Sequence, residues 1–471
     1  MRIAVIGGGY VGLVSGTCLA EKGHDVYIVE HDETKVDLIN EGISPIHEPG
    51  LDALLKAHTG DRLQATSELC AAVSLSDVTI IAVGTPFNGH SIDLSQVKQA
   101  SKEIGEALKQ TDNYHVVIVK STVVPGTTDD VVAPIIEQFS DKELGVDFGV
   151  GMNPEFLREG CAVDDFMQPD RIVIGGNDEQ AQNTISELYK VFANTDKVIV
   201  NNRSAEMIKY ASNSLLATLI SFSNEIGNLC SQLQDVDVVN VLDGVKLDKR
   251  LTPILPNGER ISPDINSYLA AGCGFGGSCF PKDIKALNAF GQRKNVDMPV
   301  LNAVIETNTK QYLQMLDLFR QHYPNPSACN VAVLGLAFKP DTDDIRESPA
   351  LPLIRQLLCM GTNVTAFDPI AMPSAKAELH DTSINYTNSL ESAVGHSEVI
   401  FIITSWPEFN EIPKLIASRN PQPLVIDGRR MLSPDTVARY EGIGLNQHEE
   451  KQTLLDETLP EPYRLSKRRN V

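Results

Sequence analysis

The sequence is poor in positive charge and in long apolar runs, and each shortage narrows what the protein can be. Its 471 residues carry 40 Lys and Arg against 62 Asp and Glu, which gives a formal net charge of −22. This excess of negative charge argues against nucleic acid and against an anionic membrane as partners. No apolar run reaches about 18 residues, so we expect no membrane span. We also identify no metal site.

Cysteines are few and irregularly spaced. Eight of them in a chain of this length, without a Cys-x-x-Cys pair, are typical of reduced thiols rather than of a disulfide framework. The first residues, Met1 to Ile6, already have the pattern of a strand, which leaves no room for a signal peptide. We therefore expect a cytoplasmic protein.

Residues 7 to 12, Gly-Gly-Gly-Tyr-Val-Gly, stand between a predicted strand and a predicted helix. In such a G-x-G-x-x-G turn, Gly7 allows the tight turn, Gly9 lets the backbone approach a pyrophosphate, and Gly12 lets the helix pack on the strand. The second predicted strand ends in Glu30, whose carboxylate can bind both ribose hydroxyls and would repel a 2′-phosphate. The pattern predicts a dinucleotide site that prefers NAD to NADP. The alternative is a Gly-rich turn without a ligand.

Polar side chains follow the next predicted strands, at the edge where parallel sheets bind ligands. Thr85 follows one strand, and Ser121 and Thr122 follow another. These hydroxyls either cap turns or face the cofactor. A further strand leads to Glu155 and Glu159, which are four residues apart and would share a face if the segment were helical.

A long segment without proline, Ser204 to Gln234, has apolar residues at helical spacing and suits a central helix between two domains. Lys209 and Asn213 are four residues apart and therefore lie on one face of it. In a largely apolar helix, such a pair either finds partners or lines a cavity. An exposed pair is the alternative.

The stretch from Gly274 to Asp283, Gly-Phe-Gly-Gly-Ser-Cys-Phe-Pro-Lys-Asp, sets one thiol inside a run of glycines. Glycines let backbone and ligand approach a reactive sulfur closely, and a thiolate is an intrinsically good nucleophile. Cys279 is therefore a candidate for covalent catalysis. A small buried filler in a Gly-rich turn is the alternative.

Strands that alternate with helices predict an α/β protein with parallel sheets, and the strand pattern restarts at Asn330 without a full G-x-G-x-x-G. We predict two Rossmann-like doubly wound domains joined by a long central helix and a helical middle domain. The predicted boundaries are 1–200 for the first Rossmann-like domain, 201–300 for the middle domain with the Cys loop, 301–325 for a linker helix, 326–455 for the second Rossmann-like domain and 456–471 for a disordered tail.

Four of these motifs together resemble the UDP-glucose/GDP-mannose dehydrogenase family. They are residues 7–12, 153–160, 274–283 and 338–348. The resemblance implies a two-step, four-electron oxidation of a nucleotide sugar at C6, which consumes two NAD and forms a thiohemiacetal and then a thioester on Cys279. Phe275 and Phe280 favour UDP-glucose as the substrate. GDP-mannose or a UDP-N-acetylhexosamine is the alternative within the family.

The resemblance also implies roles for individual residues. The implied catalytic residues are Cys279, Lys209, Asn213, Asp283, Glu155 and Thr122. The implied NAD-binding residues are Gly7, Gly9, Tyr10, Val11, Gly12, Glu30, Lys35, Thr85, Ser121, Thr122, Glu159, Lys282 and Arg346. The implied substrate-binding residues are Glu155, Phe156, Leu157, Lys209, Asn213, Arg260, Tyr268, Phe275, Gly276, Phe338, Lys339 and Arg429.

Within this set, Lys209 and Asn213 suit the stabilisation of an oxyanion. Asp283 would activate water by analogy, and Thr122 would help to place it. Either Lys209 or a water held by Asp283 takes the first proton. Family members usually have Asp where Glu30 stands, but the longer acid can still hold the ribose.

One stretch departs from the family pattern of Asp-x-Arg-Ile-Gly, whose Arg reaches the partner subunit's site. Here Asp248-Lys249-Arg250 is followed by extra residues and then by Glu259-Arg260-Ile261. We assign the role to Arg260 from its distance in sequence to Cys279, with Arg250 as the alternative. We expect a homodimer through the central helix.

Two readings outside the family compete. A β-hydroxyacid dehydrogenase of the 6-phosphogluconate type shares the Rossmann start and the Lys–Asn helix pair, but it needs neither Cys279 nor a third nucleotide-like domain. The other reading is a sensor that binds NAD or a nucleotide sugar without catalysis.

Overall fold

The short β-branched runs of the sequence form strands, and the segments between them form helices that cover both faces of parallel sheets. The structure is a computed structural model and describes residues 1–446, so the predicted disordered tail lies outside the described residues. The strands of this part are β1 (Arg2–Ile6), β2 (Asp25–Val29), β3 (Leu63–Thr66), β4 (Val78–Ile81), β5 (His115–Val119), β6 (Phe148–Met152), β7 (Arg171–Gly175), β8 (Asp196–Val200), β9 (Asn330–Leu334), β10 (Asn363–Phe367), β11 (Asn385–Tyr386), β12 (Val399–Ile402), β13 (Leu424–Asp427) and β14 (Tyr440–Gly442).

The helices alternate with these strands except in the middle of the chain. They are α1 (Tyr10–Glu21), α2 (Glu33–Asn40), α3 (Leu51–His58), α4 (Leu69–Ser74), α5 (Ser95–Leu108), α6 (Ala133–Ser140), α7 (Ala162–Met167), α8 (Glu179–Leu188), α9 (Asn202–Cys230), α10 (Val238–Lys246), α11 (Phe280–Arg293), α12 (Pro299–Gln311), α13 (Leu313–His322), α14 (Ala350–Cys359), α15 (Met372–Leu379), α16 (Leu390–Val394) and α17 (Ile412–Ile416). Single turns of 3-10 helix lie at Asp264–Tyr268, Pro407–Glu411 and Pro434–Thr436, and a π-helical turn lies at Thr128–Val132.

The first sheet has the strand order β3-β2-β1-β4-β5-β6, with all neighbours parallel. The chain leaves β1 toward one side and returns at β4 on the other, so the order reverses between these two strands. Loops on either side of such a reversal leave a crevice at the carboxyl ends of the strands, which is where ligands bind in open α/β sheets. This confirms the first predicted Rossmann-like unit.

The second sheet repeats the order as β11-β10-β9-β12-β13-β14, again with all neighbours parallel. The second Rossmann-like unit is therefore also confirmed. Apolar layers cover both faces of each sheet, one pair around strands β1 to β6 and one around β9 to β14.

The middle of the chain is helical, as predicted. The long helix α9 packs against α11 and α12, and it also contacts strand β7. A separate apolar cluster that includes Tyr210 of α9, Ile284 and Leu287 of α11, and Phe275 holds these helices together. At roughly 1.5–3 kcal/mol per fully buried large apolar side chain, this cluster fixes the Cys279 loop to α9.

The predicted linker helix, residues 301–325, is divided in the structure. Its two parts, α12 and α13, meet at Tyr312. Among residues 1–446, no helix combines the length and the apolar character that crossing a membrane requires. All eight cysteines are free thiols.

Candidate active site

In the glycine loop after β1, Gly7 and Gly12 have no room for a side chain, whereas Gly9 faces open space. Gly7 has φ +107°, and a Cβ there would lie 2.6 Å from the carbonyl oxygen of Ala82. A Cβ on Gly12 would lie 1.9 Å from the carbonyl oxygen of Gly7, whereas one on Gly9 would meet nothing within 4 Å. Helix α1 begins directly after Gly9, without a side-chain cap. The open approach at Gly9 therefore faces unpaired amides at a helix N-terminus, which fits the pyrophosphate of NAD.

Glu30 follows β2 directly and lies beside this loop. Its carboxylate accepts hydrogen bonds from the amides of Gly8 (3.1 Å), His31 (2.8 Å) and Asp32 (3.2 Å). The side chain is half-buried, and so is Lys35 on α2. Glu30 therefore lies next to the glycine loop, at the place where a ribose of NAD would reach it.

The hydroxyls after β4 and β5 tie these strand ends together. Thr85 Oγ1 donates to the carbonyl oxygen of Thr122 at 2.8 Å, and Ser121 Oγ donates to that of Val83 at 2.7 Å. Both hydroxyls therefore donate their proton to the protein backbone rather than to a ligand. Their oxygens can still accept a hydrogen bond from a ligand.

The segment that carries Glu155 and Glu159 is not helical, so the shared helical face considered above is wrong. Residues 153–158 run as an irregular loop to a turn that ends at Gly160 with φ +81°. Side chains take the amides that a helix would pair internally, since that of Arg158 donates to Asp165 (2.8 Å) and that of Gly160 donates to Glu48 (2.7 Å). The two carboxylates consequently serve different neighbours.

Glu155 pairs with Lys209 of the central helix. Lys209 Nζ lies 2.9 Å from Glu155 Oε1, and both side chains are about 95% buried, with exposures of 4% and 5%. The second carboxylate oxygen accepts the amide of Leu157 at 2.6 Å, and the Phe156 ring lies 5.4 Å from Nζ. Burial lowers the pKa of Lys209, but the charges of Glu155, Cys279 and Asp283 outweigh it and leave that pKa raised. Lys209 is therefore a cation at neutral pH.

Cys279 lies at the start of α11, immediately before Phe280. Burial raises the pKa of its thiol to about 11, although the charge of Lys209 lowers it and those of Glu155 and Asp283 raise it further. Its Sγ lies 3.5 Å from Ser278 Oγ. The resting thiol is consequently protonated at neutral pH, and it needs a base or a bound electrophile to react.

Asp283, one turn into α11, is almost fully buried. Its Oδ2 accepts Asn213 Nδ2 at 2.6 Å, and its Oδ1 lies 2.5 Å from Lys282 Nζ. Lys209 and Asn213 share a face of α9 as predicted, and the structure gives them separate carboxylate partners, Glu155 and Asp283.

Glu159 connects the first half of the chain to the second. It accepts Ser278 Oγ at 3.0 Å and Arg346 Nη2 at 3.3 Å. Arg346 also pairs with Asp344 at 2.7 Å. Burial, followed by the charge of Asp344, raises the pKa of Glu159 to about 7, against a lowering by Arg346.

The loop after β9 lies against the Cys279 loop. A Cβ on Gly277 would lie 2.8 Å from the Phe338 ring, and one on Gly276 would lie 2.4 Å from the carbonyl oxygen of Glu347. Lys339 Nζ lies 5.8 Å from the centroid of the Phe338 ring. These glycines are required because the two loops pack backbone to ring.

Two further predicted substrate residues flank the same loop. Arg429, after β13, donates from Nη1 to the carbonyl oxygen of Gly274 at 3.0 Å. The Tyr268 ring lies 6.2 Å from the Phe280 ring, which in turn lies 5.9 Å from Phe275. The carboxyl ends of both sheets thus meet at the Cys279 loop.

Arg260 lies apart from this cluster. It is exposed, on the loop that follows α10, and its Nη1 donates to the carbonyl oxygen of Leu247 at 3.1 Å. Arg250 is exposed as well and pairs with Asp248. Neither arginine reaches the site of its own chain through a contact of the described residues.

Sequence reasoning missed three residues that hold the site in place. Ser278 bridges Cys279 and Glu159. Glu48 is buried and accepts the amides of Gly160 (2.7 Å) and Ala162 (2.6 Å). Asn308 of α12 exchanges two hydrogen bonds, of 2.8 and 2.9 Å, with the backbone of Phe275. Only Ser278 carried a signal, since it stands next to the candidate nucleophile.

Known proteins resemble this chain over most of its length. Three sequence profiles of the UDP-glucose/GDP-mannose dehydrogenase family match, the NAD binding domain at residues 1–193, the central domain at 203–310 and the UDP binding domain at 332–434. The UDP-glucose 6-dehydrogenase AglM of Haloferax volcanii is 40% identical over 448 residues, which cover 94% of this chain and 100% of the relative. TuaD of Bacillus subtilis, also a UDP-glucose 6-dehydrogenase, is 42% identical over 435 residues, which cover 92% of this chain and 90% of the relative.

A solved structure agrees as well. The UDP-glucose dehydrogenase of the hyperthermophilic archaeon Pyrobaculum islandicum superposes with a TM-score of 0.85 at 38% identity, covering 94% of this chain and 97% of that one. The β-hydroxyacid dehydrogenase and sensor readings are therefore set aside, and NAD is the cofactor. The chain belongs to the UDP-glucose/GDP-mannose dehydrogenase family and is an NAD-dependent oxidoreductase.

Proposed function

We propose that this enzyme oxidises the C6 alcohol of UDP-glucose to the carboxylate of UDP-glucuronate. One sugar and one water give one carboxylate and three protons, while two NAD are reduced to two NADH. NAD, when bound at the glycine loop, supplies the acceptor for the hydride that leaves C6 in each oxidation. The observation that carries the proposal is the position of Cys279 beside Lys209, Glu155 and Asp283.

Cys279 keeps the half-oxidised sugar bound. The first oxidation leaves an aldehyde at C6. Cys279 Sγ adds to this carbon while the thiol proton passes to the former carbonyl oxygen, which gives a thiohemiacetal. The second oxidation converts that adduct to a thioester. Water then attacks C6, the carbon–sulfur bond breaks, and the thiol is restored. Because burial raises the pKa of the thiol to about 11, we propose that a nearby carboxylate, Glu155 or Asp283, carries this proton from the sulfur to the oxygen on C6.

Lys209 stabilises the oxygen on C6 in this scheme. Its ammonium stays protonated because its pKa is raised, so it suits an oxyanion partner better than a general base. A water held by Asp283 is accordingly our choice for the first proton acceptor. At the hydrolysis step, Asp283 and Glu155 are the carboxylates that can take a proton from the attacking water, with Thr122 as a further contact for it.

The remaining predicted residues hold the two nucleotides. We propose that Gly7, Gly9, Gly12, Tyr10 and Val11 form the NAD cradle, which Glu30, Lys35, Thr85, Ser121, Glu159, Lys282 and Arg346 complete. For the substrate, Lys339 and Arg429 supply positive charge for the phosphates in an otherwise acidic chain. The space between the two sheets would take the uridine and the sugar, and the residues proposed to line it are Phe338, Tyr268, Phe275, Phe156, Leu157 and Gly276.

The stoichiometry of NADH tests the reaction. We expect two NADH for each UDP-glucose consumed, and a clearly higher kcat/KM than for GDP-mannose or a UDP-N-acetylhexosamine. Cys279→Ser should lower overall oxidation by several orders of magnitude and retain nucleotide-sugar binding. One NADH per sugar, near-normal turnover in Cys279→Ser, or a preference for another sugar would each refute the corresponding part.

We also propose a homodimer through α9. Leu215, Phe222 and Leu229 are about half exposed, at 53%, 49% and 57%, and lie seven residues apart, so they form one apolar stripe along a helix about 43 Å long. A second copy of this chain is the occupant that such a stripe fits, by two-fold symmetry. Phe222→Glu should give a monomer in analytical ultracentrifugation, whereas an unchanged dimer would refute this interface.

Arg260 completes the partner subunit's site in this proposal. It lies on the exposed loop that follows α10, and within residues 1–446 its recorded hydrogen bond goes to the carbonyl oxygen of Leu247 rather than to its own site. Mixing Arg260→Ala and Cys279→Ser subunits should restore activity, because one mixed site then carries both side chains. Restoration by Arg250→Ala mixtures instead would move the role to Arg250, and no restoration by either would place the arginine in its own chain.

We further propose a cytoplasmic location. Eight free cysteines, several of them exposed, suit a reducing compartment. Cell fractionation that finds the protein outside the cytoplasm would refute this.

A further inference from the structure

Lys120 is a buried cation that the proposed mechanism does not use. It stands directly after β5 and is only 4% exposed. Its Nζ donates to Asn153 Oδ1 at 2.9 Å and to Tyr189 OH at 3.4 Å, and the Phe166 and Tyr189 rings lie at 5.9 and 5.8 Å. Among residues 1–446, no carboxylate oxygen lies within 4.0 Å of it. A buried ammonium with only neutral partners is costly for a folded protein, so its presence calls for a reason.

The charges nearest to Lys120 belong to the active site. It interacts electrostatically with Glu155, which attracts it, and with Lys209, which repels it. The strand register explains this placement, since Val119 of β5 pairs with Met152 of β6. Lys120 therefore neighbours Asn153, and Glu155 follows two residues later. Lys120 acts on Glu155 from the sheet, and Lys209 acts on it from α9.

Lys209 has two tasks in the proposed reaction, and they conflict. It pairs with Glu155 at 2.9 Å in the resting site, and it stabilises the oxyanion on C6. When its ammonium turns to the oxyanion, Glu155 would be left as a buried carboxylate with a weakened counter-charge, which favours its neutral form. A second cation that stays in place removes this conflict.

We propose that Lys120 is a positioning residue, the fixed cation that keeps Glu155 ionised and oriented while Lys209 serves the reacting sugar. The inference rests on the proposed function. Lys120 is suited to a fixed role because Asn153 is itself held, with Nδ2 donating to the carbonyl oxygen of Val173 at 2.8 Å and Oδ1 accepting Tyr189 OH at 2.6 Å. Its ammonium consequently cannot follow the substrate.

The direction of the pKa shifts agrees with this role. Burial raises the pKa of Glu155, but Lys209, the amide of Leu157 and Lys120 together outweigh it, so the pKa is lowered. Burial lowers the pKa of Lys120 to about 8, with Glu155 raising it and Lys209 lowering it. Cys279 and Asp283, the other titratable groups of the site, act on Lys209. Removing Lys120 should thus raise the pKa of Glu155.

Steady-state kinetics of full-length variants between pH 5.5 and 9.5 test the proposal. We expect Lys120→Met to lower kcat about 100-fold, to change both KM values less than threefold, and to move the acid limb of kcat upward by about one pH unit. Lys120→Arg should recover at least tenfold of the lost kcat. Lys22→Met, the matched control, removes a cation that lies over another aromatic ring, that of Phe192 at 5.2 Å, and should leave the acid limb in place.

A double mutant separates an effect through Glu155 from a general structural effect. If Lys120 acts through Glu155, Lys120→Met should change the residual kcat of Glu155→Gln less than twofold. An unmoved acid limb, or a full additional loss in the double mutant, would overturn the proposal. Thermal unfolding should find Lys120→Met as stable as the wild type, since it replaces an unpaired buried charge by an apolar chain. If Met does not fold, Lys120→Gln gives the same comparison.

Failure of the underlying function is a different result. A wild-type enzyme that releases no NADH from any nucleotide sugar would refute the proposed function and this inference with it. A wild type that turns over normally, with an unchanged profile in Lys120→Met, would refute the inference alone.

Discussion

The two sheets have the same strand order, but the loops that follow their first strands are built differently. After β1, only Gly7 to Gly9 separate the strand from α1. After β9, residues 335–349 separate the strand from α14, and this long loop reaches across to Gly277 and Glu159. The short loop exposes a helix N-terminus to a ligand, and the long loop supplies side chains to the other half of the molecule.

An acid at the end of the second strand holds each loop, and here the difference is sharpest. Glu30 after β2 is half-buried and accepts Gly8, His31 and Asp32 amides. Asp368 after β10 is 2% exposed and accepts five donors, which are the amides of Leu336, Ala337, Ile370 and Ala371 and the indole of Trp406.

The same position on the same fold thus serves two purposes. Glu30 keeps an approach from solvent, so a ribose can replace its amide contacts at little cost. Asp368 is sealed by Trp406 and fully used by the protein, so the equivalent crevice of the second sheet lacks the acid that a dinucleotide needs. The first unit therefore keeps an open acid that suits a dinucleotide, whereas in our proposal the second unit holds its nucleotide through the long loop.

Replacing each acid by alanine should show that Asp368 serves stability and Glu30 serves NAD binding. The loss of stability in Asp368→Ala is the largest change that we expect among the variants of this comparison. Asp368→Ala leaves several buried donors unpaired, at about 1–3 kcal/mol each, so we expect a loss of about 4 kcal/mol in the free energy of unfolding. Glu30→Ala should cost less than about 1 kcal/mol but weaken NAD binding about tenfold and reduce the preference over NADP. Equal losses of stability in chemical denaturation of the two apo variants would break the comparison.

Alanine substitutions at two glycines of the short loop should distinguish a glycine needed for packing, Gly12, from one needed for the approach of the ligand, Gly9. A Cβ on Gly12 meets the carbonyl oxygen of Gly7 at 1.9 Å, and one on Gly9 meets nothing within 4 Å. Gly12→Ala should therefore lose about 3 kcal/mol of stability through overpacking, and Gly9→Ala should unfold like the wild type.

Titration with NAD measures how the Gly9 substitution affects cofactor binding. Gly9→Ala should bind NAD at least tenfold more weakly, because its methyl group occupies the open approach to the pyrophosphate. Tight NAD binding by this stable variant would mean that the pyrophosphate lies elsewhere.

Much of this comparison is visible in the sequence, and the missing part has a physical reason. Strand runs such as Phe148–Met152 and the glycine motif follow local rules of period and turn chemistry, and the structure places them as predicted. The pairing of Lys209 with Glu155, the contact of Ser278 with Glu159 and the burial of Glu48 depend on residues far apart in the chain, which no local pattern encodes. The shared helical face considered for Glu155 and Glu159 does not form, because distant side chains bind the amides of Arg158 and Gly160.

The contact between the long loop and Glu159 predicts a pH effect. Burial, followed by the charge of Asp344, raises the pKa of Glu159 from 4.5 to about 7. Because the folded value lies above the unfolded one, the group's stabilising contribution is complete below pH 4.5 and is lost as the pH rises through 7. Glu159→Gln stays neutral, so we expect it to gain on the order of 2 kcal/mol over the wild type between pH 5 and pH 8.

Denaturation of both proteins at matched pH values measures this gain. The control is Glu378→Gln, because Glu378 forms an exposed pair with Arg355 and should show no such trend. A constant difference between Glu159→Gln and the wild type would mean that Glu159 is ionised across the whole range.

Arg346 gives the smallest expected effect on stability and tests whether the long loop serves the cofactor. Its side chain is 63% exposed and lies 3.3 Å from Glu159, so Arg346→Ala should change the free energy of unfolding by less than about 1 kcal/mol. If it contacts NAD, however, the KM for NAD should rise about tenfold, as expected for one lost charge-assisted hydrogen bond, with the sugar's KM unchanged. Arg355→Ala, which removes an arginine of similar exposure (55%) from a pair at 3.3 Å, should match its stability and leave both KM values alone. Equal kinetics of the two variants would limit the long loop to the sugar side of the site.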